Sequence, residues 1–169
     1  MRFASVTKAV TGALALELVE DGKLSLGSTI GEIRPDLPAA WGPITLRQLL
    51  QHTSGLPAYT ADPAFLAYFA ANLKAYISPL EAISYVFNEP LEFTPGTRFE
   101  YSNTDNIVIG LMAERAAGRG IVPLLKREVF GPLGMINSTM PKGFDMPKPF
   151  VTGYVYDAQG QLFEEVSEA

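Results

Sequence analysis

The sequence contains no cysteine and only one histidine, His52. The first absence excludes a disulfide scaffold, a cysteine-ligated zinc site and a thiol nucleophile, and it fits oxidising and reducing compartments equally well. The second excludes a metal centre with several histidine ligands. Lysine and arginine never form a run, and 13 basic against 18 acidic residues give a net charge of −5. We therefore do not expect a protein that binds the nucleic-acid backbone.

Long apolar stretches are also missing, since none approaches the roughly 20 residues that a membrane-spanning helix needs. Apolar residues nevertheless make up 47% of the 169 residues, and charged residues make up 18%. This balance is typical of a globular domain with a hydrophobic core and argues against a disordered chain.

The hydrophobic pattern predicts a mainly helical chain that ends in a β-hairpin. A helix over 6–20 has few charges and no proline, so we expect other elements to surround it. Capping residues at Thr45, Asp62 and Ser78 start three more helices. The first is expected to run through His52 and end near Gly55, and the second to reach residue 77. Two further helices are predicted at 105–117 and 121–130. The predicted hairpin pairs residues 150–156 with 161–166.

The first candidate for chemistry is the segment Ser5-Val-Thr-Lys8. Residues three apart on a helix share a face, so this spacing brings the Lys8 amine to the Ser5 hydroxyl. A lysine among apolar residues can have a lowered pKa and help to remove the serine proton. The N–H groups at the start of a helix would also favour an oxyanion. Taken alone, the pattern fits a serine N-cap and a solvated lysine as well.

The second candidate is Tyr101-Ser-Asn103, which follows a turn. A tyrosine whose pKa is lowered by a nearby ammonium group is a competent general base. An asparagine two residues later offers a donor and an acceptor to a substrate amide. Taken alone, Tyr101 also fits a half-buried aromatic residue, and Asn103 fits the cap of the next helix.

His52 and Ser54 lie close together along the chain and suggest a third candidate. No acidic residue that could orient the histidine accompanies them, so we interpret this segment as structural, with Gly55 and Pro57 shaping a turn. Large aromatic residues elsewhere are interpreted as core or as the wall of a cleft; they are Trp41, Phe65, Phe69 and Tyr76.

Four blocks of sequence carry a family resemblance. They are Phe3-Ala-Ser5-Val-Thr-Lys8, Ile44-Thr-Leu-Arg-Gln-Leu-Leu50 running into His52-Thr-Ser-Gly-Leu-Pro57, Pro95-Gly-Thr-Arg-Phe-Glu-Tyr101-Ser-Asn103, and Pro132-Leu-Gly-Met135 before Ser138-Thr139. In this order they resemble the serine β-lactamase-like family, which includes class C β-lactamases, penicillin-binding D-Ala-D-Ala carboxypeptidases and related esterases. The blocks run through most of the chain, which makes the resemblance specific.

The resemblance implies an α+β β-lactamase/transpeptidase-like fold, in which an antiparallel sheet with flanking helices lies beside a helical subdomain. It implies that Ser5 is the acylated nucleophile and lends its N–H to the oxyanion hole. Lys8 would be its proton-shuttling partner, Tyr101 the general base and acid, and Asn103 a ligand for the substrate amide. The segment at His52 is not catalytic in this family, and no metal or organic cofactor is implied.

Two parts of the family pattern are missing from the sequence. The third motif, a lysine- or histidine-bearing triad with a glycine on a strand, would lie beyond residue 169, and the strands that precede the Ser5 helix are absent. We therefore expect 1–169 to be one incomplete domain, with a helical part at 1–149 that carries both motifs. The hairpin at 150–169 would begin the sheet region. Because a sheet that lacks some of its strands leaves strand edges unpaired, we expect self-association or pairing with a complementary chain.

The expected function is serine hydrolysis through an acyl-enzyme. The expected partner is a small molecule or peptide with a reactive carbonyl, either a β-lactam, a D-Ala peptide or an ester, and not a nucleic acid. No membrane span is expected. The alternatives are a penicillin-recognising regulatory module without turnover and an enzyme fragment that is inactive in isolation. The resemblance favours a bacterial periplasmic or secreted protein, while the sequence itself leaves the compartment open.

Overall fold

The computed structural model describes residues 2–140, 148–151 and 153–165. Residues 152 and 166–169 of the predicted hairpin segment lie outside the described residues. The helices in these ranges are α1 (Thr7–Glu20), α2 (Ile30–Ile33), α3 (Leu46–Leu50), α4 (Pro63–Ala71), α5 (Pro79–Ser84), α6 (Asn103–Ala117) and α7 (Ile121–Leu125). The strands are β1 (Tyr154–Tyr156) and β2 (Leu162–Glu165). Short 3₁₀ turns occupy Ala4–Val6, Ala39–Trp41 and Tyr59–Ala61.

The helix starts follow from local capping chemistry. Thr45 and Ser78 each form the predicted capping box with the residue three positions later, and the Asp62 carboxylate accepts from the N–H of the third helical residue. These contacts satisfy backbone donors that the first turn leaves without a partner. Sequence reasoning missed a further capping box, in which Thr29 pairs with Glu32 at the start of α2.

Helix α6 lies at the centre of the helical part. It packs against α1 and contacts α2, α3, α5 and α7. Aliphatic side chains fill the space between these helices, and each contributes about 1.5–3 kcal/mol by leaving water. Among the side chains that are fully buried are Leu14, Leu18, Ile30, Leu46, Leu49, Ile83, Val108, Met112 and Leu124.

Helix α1 is not surrounded on every side, which corrects the expectation from its composition. Leu14 and Leu18 face the core, whereas Leu16 is 51% exposed. The described residues cover the side of α1 that packs on α6, on α7 and on the turn Lys126–Phe130. In the described ranges, no helix combines the length and apolar character that crossing a bilayer requires.

Two predicted helices end earlier than expected, whereas the third keeps its predicted bounds. Helix α4 stops at Ala71 because the Asn72 side chain donates to the carbonyl of Tyr68 and so ends the turn. Helix α3 stops at Leu50, and His52 then takes a left-handed conformation with φ of 54°. The predicted 121–130 helix is α7 followed by a π-helical turn over Lys126–Phe130.

The C-terminal hairpin is confirmed, with shorter strands than predicted. β1 and β2 pair antiparallel, with Tyr154 opposite Glu165 and an irregularity after Val155. The Asp157 carboxylate accepts from the N–H groups of Gln159 and Gln161, at 2.9 and 2.8 Å, which shapes the turn. In the part of the chain that the structure describes, these two strands form the sheet.

The aromatic residues divide into buried and exposed groups. Trp41 is 1% exposed and Phe65 7%, so both belong to the core. Phe65 sits in an aromatic cluster, with its ring 4.8 Å from that of Tyr59. Phe69 and Tyr76 are 50% and 66% exposed, so neither belongs to the core, and their place in the wall of a cleft stays a prediction.

Candidate active site

Both motifs sit where α1 and α6 begin. Ser5 lies in the 3₁₀ turn Ala4–Val6, which runs directly into α1, and Lys8 lies in the first turn of that helix. The residue before the serine, Ala4, has a φ of 44°, a strained conformation of the kind found at functional sites. Asn103 is the first residue of α6. Because α1 packs on α6, the two helix starts meet.

A short hydrogen-bond network joins the four predicted site residues. The Ser5 Oγ lies 2.7 Å from the phenol oxygen of Tyr101. The Lys8 ammonium donates to the Ser5 Oγ at 3.2 Å and to the Asn103 Oδ1 at 2.7 Å. Residues almost a hundred positions apart in sequence thus converge on one hydroxyl, within the reach that proton transfer requires.

The surroundings of Tyr101 favour its ionised form. The Lys8 ammonium beside the phenol, and then the Ser5 hydroxyl, hold the pKa of Tyr101 below its usual range. The Lys8 Nζ also lies 4.8 Å from the centroid of the Tyr101 ring. Tyr101 is 45% exposed, so the cost of burying the phenolate is small.

The orientation of the Asn103 amide follows from its partners. Lysine has only donors, so the atom that faces Lys8 must be the amide oxygen. The Asn103 Nδ2 then donates to the Thr60 Oγ1 at 2.8 Å. Thr60 lies in the Tyr59–Ala61 turn, and nothing in its local sequence distinguishes it. Sequence reasoning missed this contact.

An irregular backbone pairing holds the segment that carries Tyr101. The N–H groups of Glu92, Gly96 and Glu100 donate to the carbonyls of Gly55, Thr53 and His52, at 2.9, 2.7 and 2.8 Å. Gly55 is required here, because its φ is 75° and a Cβ would stand 2.3 Å from the carbonyl oxygen of Phe93. The predicted turn at Gly55 therefore supports the site through close backbone contact.

The prediction that no acidic side chain accompanies His52 is wrong. Asp105 of α6 is fully buried, and its Oδ2 lies 2.8 Å from the His52 Nδ1. Its Oδ1 accepts from the Ser54 Oγ at 2.5 Å. The carboxylate thus bridges Ser54 and His52, whereas in a catalytic triad the histidine lies between the other two. Burial raises the pKa of Asp105, and its hydrogen bonds to His52 and Ser54 oppose this rise.

The described residues contain no candidate metal site. No group of three histidine, cysteine or acidic side chains in these ranges could hold a metal ion. The convergent groups are instead a hydroxyl, an ammonium, a phenol and an amide, which suit proton transfer and nucleophilic attack.

Comparison with known proteins identifies the family. The Beta-lactamase family model matches residues 1–166, nearly the whole chain. The chain belongs to the Beta-lactamase family. A lovastatin esterase from Penicillium rubens is 31% identical over 152 residues, which are 80% of this chain and 38% of the esterase. Penicillin-binding protein 4* from Bacillus subtilis is 28% identical over 170 residues, which are 95% of this chain and 35% of that protein.

The fold is confirmed by a solved structure of a D-stereospecific amidohydrolase from Streptomyces. It superposes with a TM-score of 0.88 at 28% identity, and the match covers 99% of this chain and 52% of the amidohydrolase. The described residues therefore form part of the β-lactamase/transpeptidase-like α+β fold. The chain spans about half or less of the length of these relatives.

Proposed function

We propose that this chain supplies the nucleophile and the proton-transfer groups of a serine hydrolase that forms an acyl-enzyme on Ser5. The observation that carries the proposal is the position of the Ser5 Oγ, 2.7 Å from the Tyr101 oxygen and 3.2 Å from the Lys8 Nζ. A hydroxyl becomes a useful nucleophile only when a nearby base takes its proton. Two polar groups in reach of one exposed serine meet that need.

In the proposed reaction, the Tyr101 phenolate takes the Ser5 proton as the Oγ bonds to the substrate carbonyl carbon. The tetrahedral intermediate collapses, the bond to the leaving group breaks, and that group takes the proton from Tyr101. Water then attacks the acyl-enzyme by the same route and releases the acid and free Ser5. The Lys8 ammonium stabilises the phenolate, which the lowered pKa of Tyr101 supports.

Substrate binding is assigned to Asn103 and to the backbone at Ser5. One N–H of the Asn103 amide is held by Thr60, and the second is able to reach a substrate carbonyl. The Ser5 N–H would donate to the oxyanion of the intermediate, as the family resemblance implies. The substrate class is an ester, a D-amino-acid amide or peptide, or a β-lactam. The names of the esterase, the amidohydrolase and the penicillin-binding relative support this range.

Covalent labelling tests the proposal. The full gene product that contains this chain is incubated with a fluorophosphonate or a penicillin, and the mass of the intact protein and of its peptides is measured. We expect one adduct on the peptide that contains Ser5, because only an activated serine displaces fluoride or opens the lactam. Ser5→Ala should abolish the adduct.

Ser54→Ala is the matched control for this experiment. Ser54 is 1% exposed and its hydroxyl donates to Asp105, so the reagent does not reach it, and Ser54→Ala should still give the adduct on the Ser5 peptide even if labelling is slower. A penicillin adduct that turns over indicates a hydrolase, and one that persists indicates a regulatory module that recognises penicillin. Labelling at Ser54, or no labelling at all, would contradict the assignment of Ser5.

A further inference from the structure

The cluster of His52, Ser54 and Asp105 has no part in the proposed reaction, although it lies next to the site. Asp105 is the third residue of α6, two positions after Asn103, and it is fully buried. Its two oxygens bind two residues of one segment, the Ser54 hydroxyl and the His52 ring. A buried carboxylate is costly unless such donors satisfy it. Asp105 therefore fixes this segment to the start of α6.

The Asp105 contact also fixes the orientation of the His52 ring. The backbone N–H of Ser102 lies 3.4 Å from the same Nδ1 that lies 2.8 Å from Asp105. One nitrogen cannot donate to Asp105 and accept from Ser102, so we assign the proton to Nδ1 and the hydrogen bond to the shorter contact. The ring is then held by a charge-assisted bond at one edge.

The His52 ring in turn supports Tyr101. The two ring centroids lie 4.8 Å apart with the planes inclined at 45°, and the His52 carbonyl accepts from the N–H of Glu100 at 2.8 Å. Tyr101 needs this support, because it is 45% exposed and lies in a stretch without helix or strand. A proton-transfer group must be held to within about half an ångström of its working position.

We infer that His52 and Asp105 form a positioning pair, in which Asp105 holds the His52 ring and that ring holds the Tyr101 phenol against Ser5. This inference rests on the proposed function of Tyr101. Ser54 serves the pair only by satisfying the second oxygen of the carboxylate. Neither member of the pair touches the reacting atoms.

Asp105→Asn tests the pair, because asparagine keeps the shape of the side chain but replaces one carboxylate oxygen with an NH₂ group. That group then faces one of the two donors, the His52 ring or the Ser54 hydroxyl. We expect kcat/KM on a p-nitrophenyl ester to fall about 10- to 100-fold with KM nearly unchanged, as for a loss of positioning rather than of binding. Glu114→Gln is the matched control. Glu114 lies at the other end of α6, where it accepts from the N–H of Ile121, so its loss should leave kcat/KM unchanged.

The pH profile separates positioning from a simple change of charge. The groups that face the Tyr101 side chain are Ser5 and Lys8 from the α1 side and His52 from the opposite segment. If the phenol moves away from Lys8, its pKa rises, and the limb where activity increases with pH moves to higher pH. If Asp105 acted only by its negative charge, removing that charge would move the limb to lower pH.

His52→Asn is a second variant that tests the same pair. Asparagine tolerates the left-handed backbone at this position and keeps a donor for Asp105, but it removes the ring beside Tyr101. We expect the same loss of kcat/KM and the same upward shift of the limb. A wild-type kcat/KM and pH profile in either folded variant, or a shift to lower pH, would overturn the inference. Failure of the wild type to label at Ser5 would instead overturn the proposed function.

Discussion

Replacing Tyr101 with phenylalanine removes one oxygen from the candidate site and keeps the ring. That oxygen lies 2.7 Å from the Ser5 Oγ. General acid–base catalysis contributes about 10²–10⁴ in rate, so the barrier should rise by about 2.7–5.4 kcal/mol. The lost hydrogen bond joins two exposed groups, so the free energy of unfolding should fall by less than about 1 kcal/mol. A large loss of rate with little loss of stability is the expected signature.

The assay measures kcat/KM on a p-nitrophenyl ester from pH 6 to 9, together with thermal unfolding. In the wild type, activity should increase with pH through the pKa of Tyr101, which lies below the usual value of 10. Tyr101→Phe should lose this limb along with most of the rate. Tyr76→Phe, at a tyrosine that is 66% exposed, is the matched control and should change neither. Near-full activity of Tyr101→Phe across this range would refute the role of the phenol as the base.

Two further predictions concern the charge at the site and the backbone that supports it. Lys8→Ala should reduce kcat/KM at least as much as loss of the phenol oxygen. It should also move the part of the pH profile where activity increases to higher pH, whereas Lys23→Ala should leave the pH profile unchanged. Gly55→Ala should lower the free energy of unfolding by about 2–5 kcal/mol, because its Cβ would meet the Phe93 carbonyl and its φ is positive. Gly22→Ala shares the positive φ but has open space, so it should cost only about 1–2 kcal/mol in the same melting experiment.

The helix starts at Thr45, Asp62 and Ser78 could be predicted from the sequence because each depends on residues three positions apart, whereas α6 has no side-chain cap and begins at Asn103 rather than at residue 105. The capping boxes at Thr45 and Ser78 are of this kind, and both form as expected. The helix ends were predicted less well. His52 leaves the helical conformation, and it then makes a backbone hydrogen bond with Glu100, a residue 48 positions later. A pattern of neighbouring residues in the sequence does not reveal a contact between residues so far apart.

The same distinction applies to the candidate site. Ser5 and Lys8 are three residues apart, and Tyr101 and Asn103 are two apart, so each motif is visible as a spacing. The family resemblance was needed to place the two motifs together. Asp105 was missed because an acidic residue in the first turn of a helix is common, and its partners lie more than 50 residues away.

The arrangement of hydrogen-bond donors and acceptors in the site supports proton transfer from the Ser5 hydroxyl to the Tyr101 oxygen. Lys8 carries only donors, and it uses them toward the Asn103 Oδ1 and the Ser5 Oγ. The Ser5 Oγ therefore receives a hydrogen bond from Lys8, and its own proton is free to point at the Tyr101 oxygen 2.7 Å away. The same ammonium favours the phenolate that accepts this proton. In the proposed reaction, Lys8 therefore assists both the group that loses the proton and the group that gains it, which is why we expect its removal to be at least as damaging as removal of the phenol oxygen.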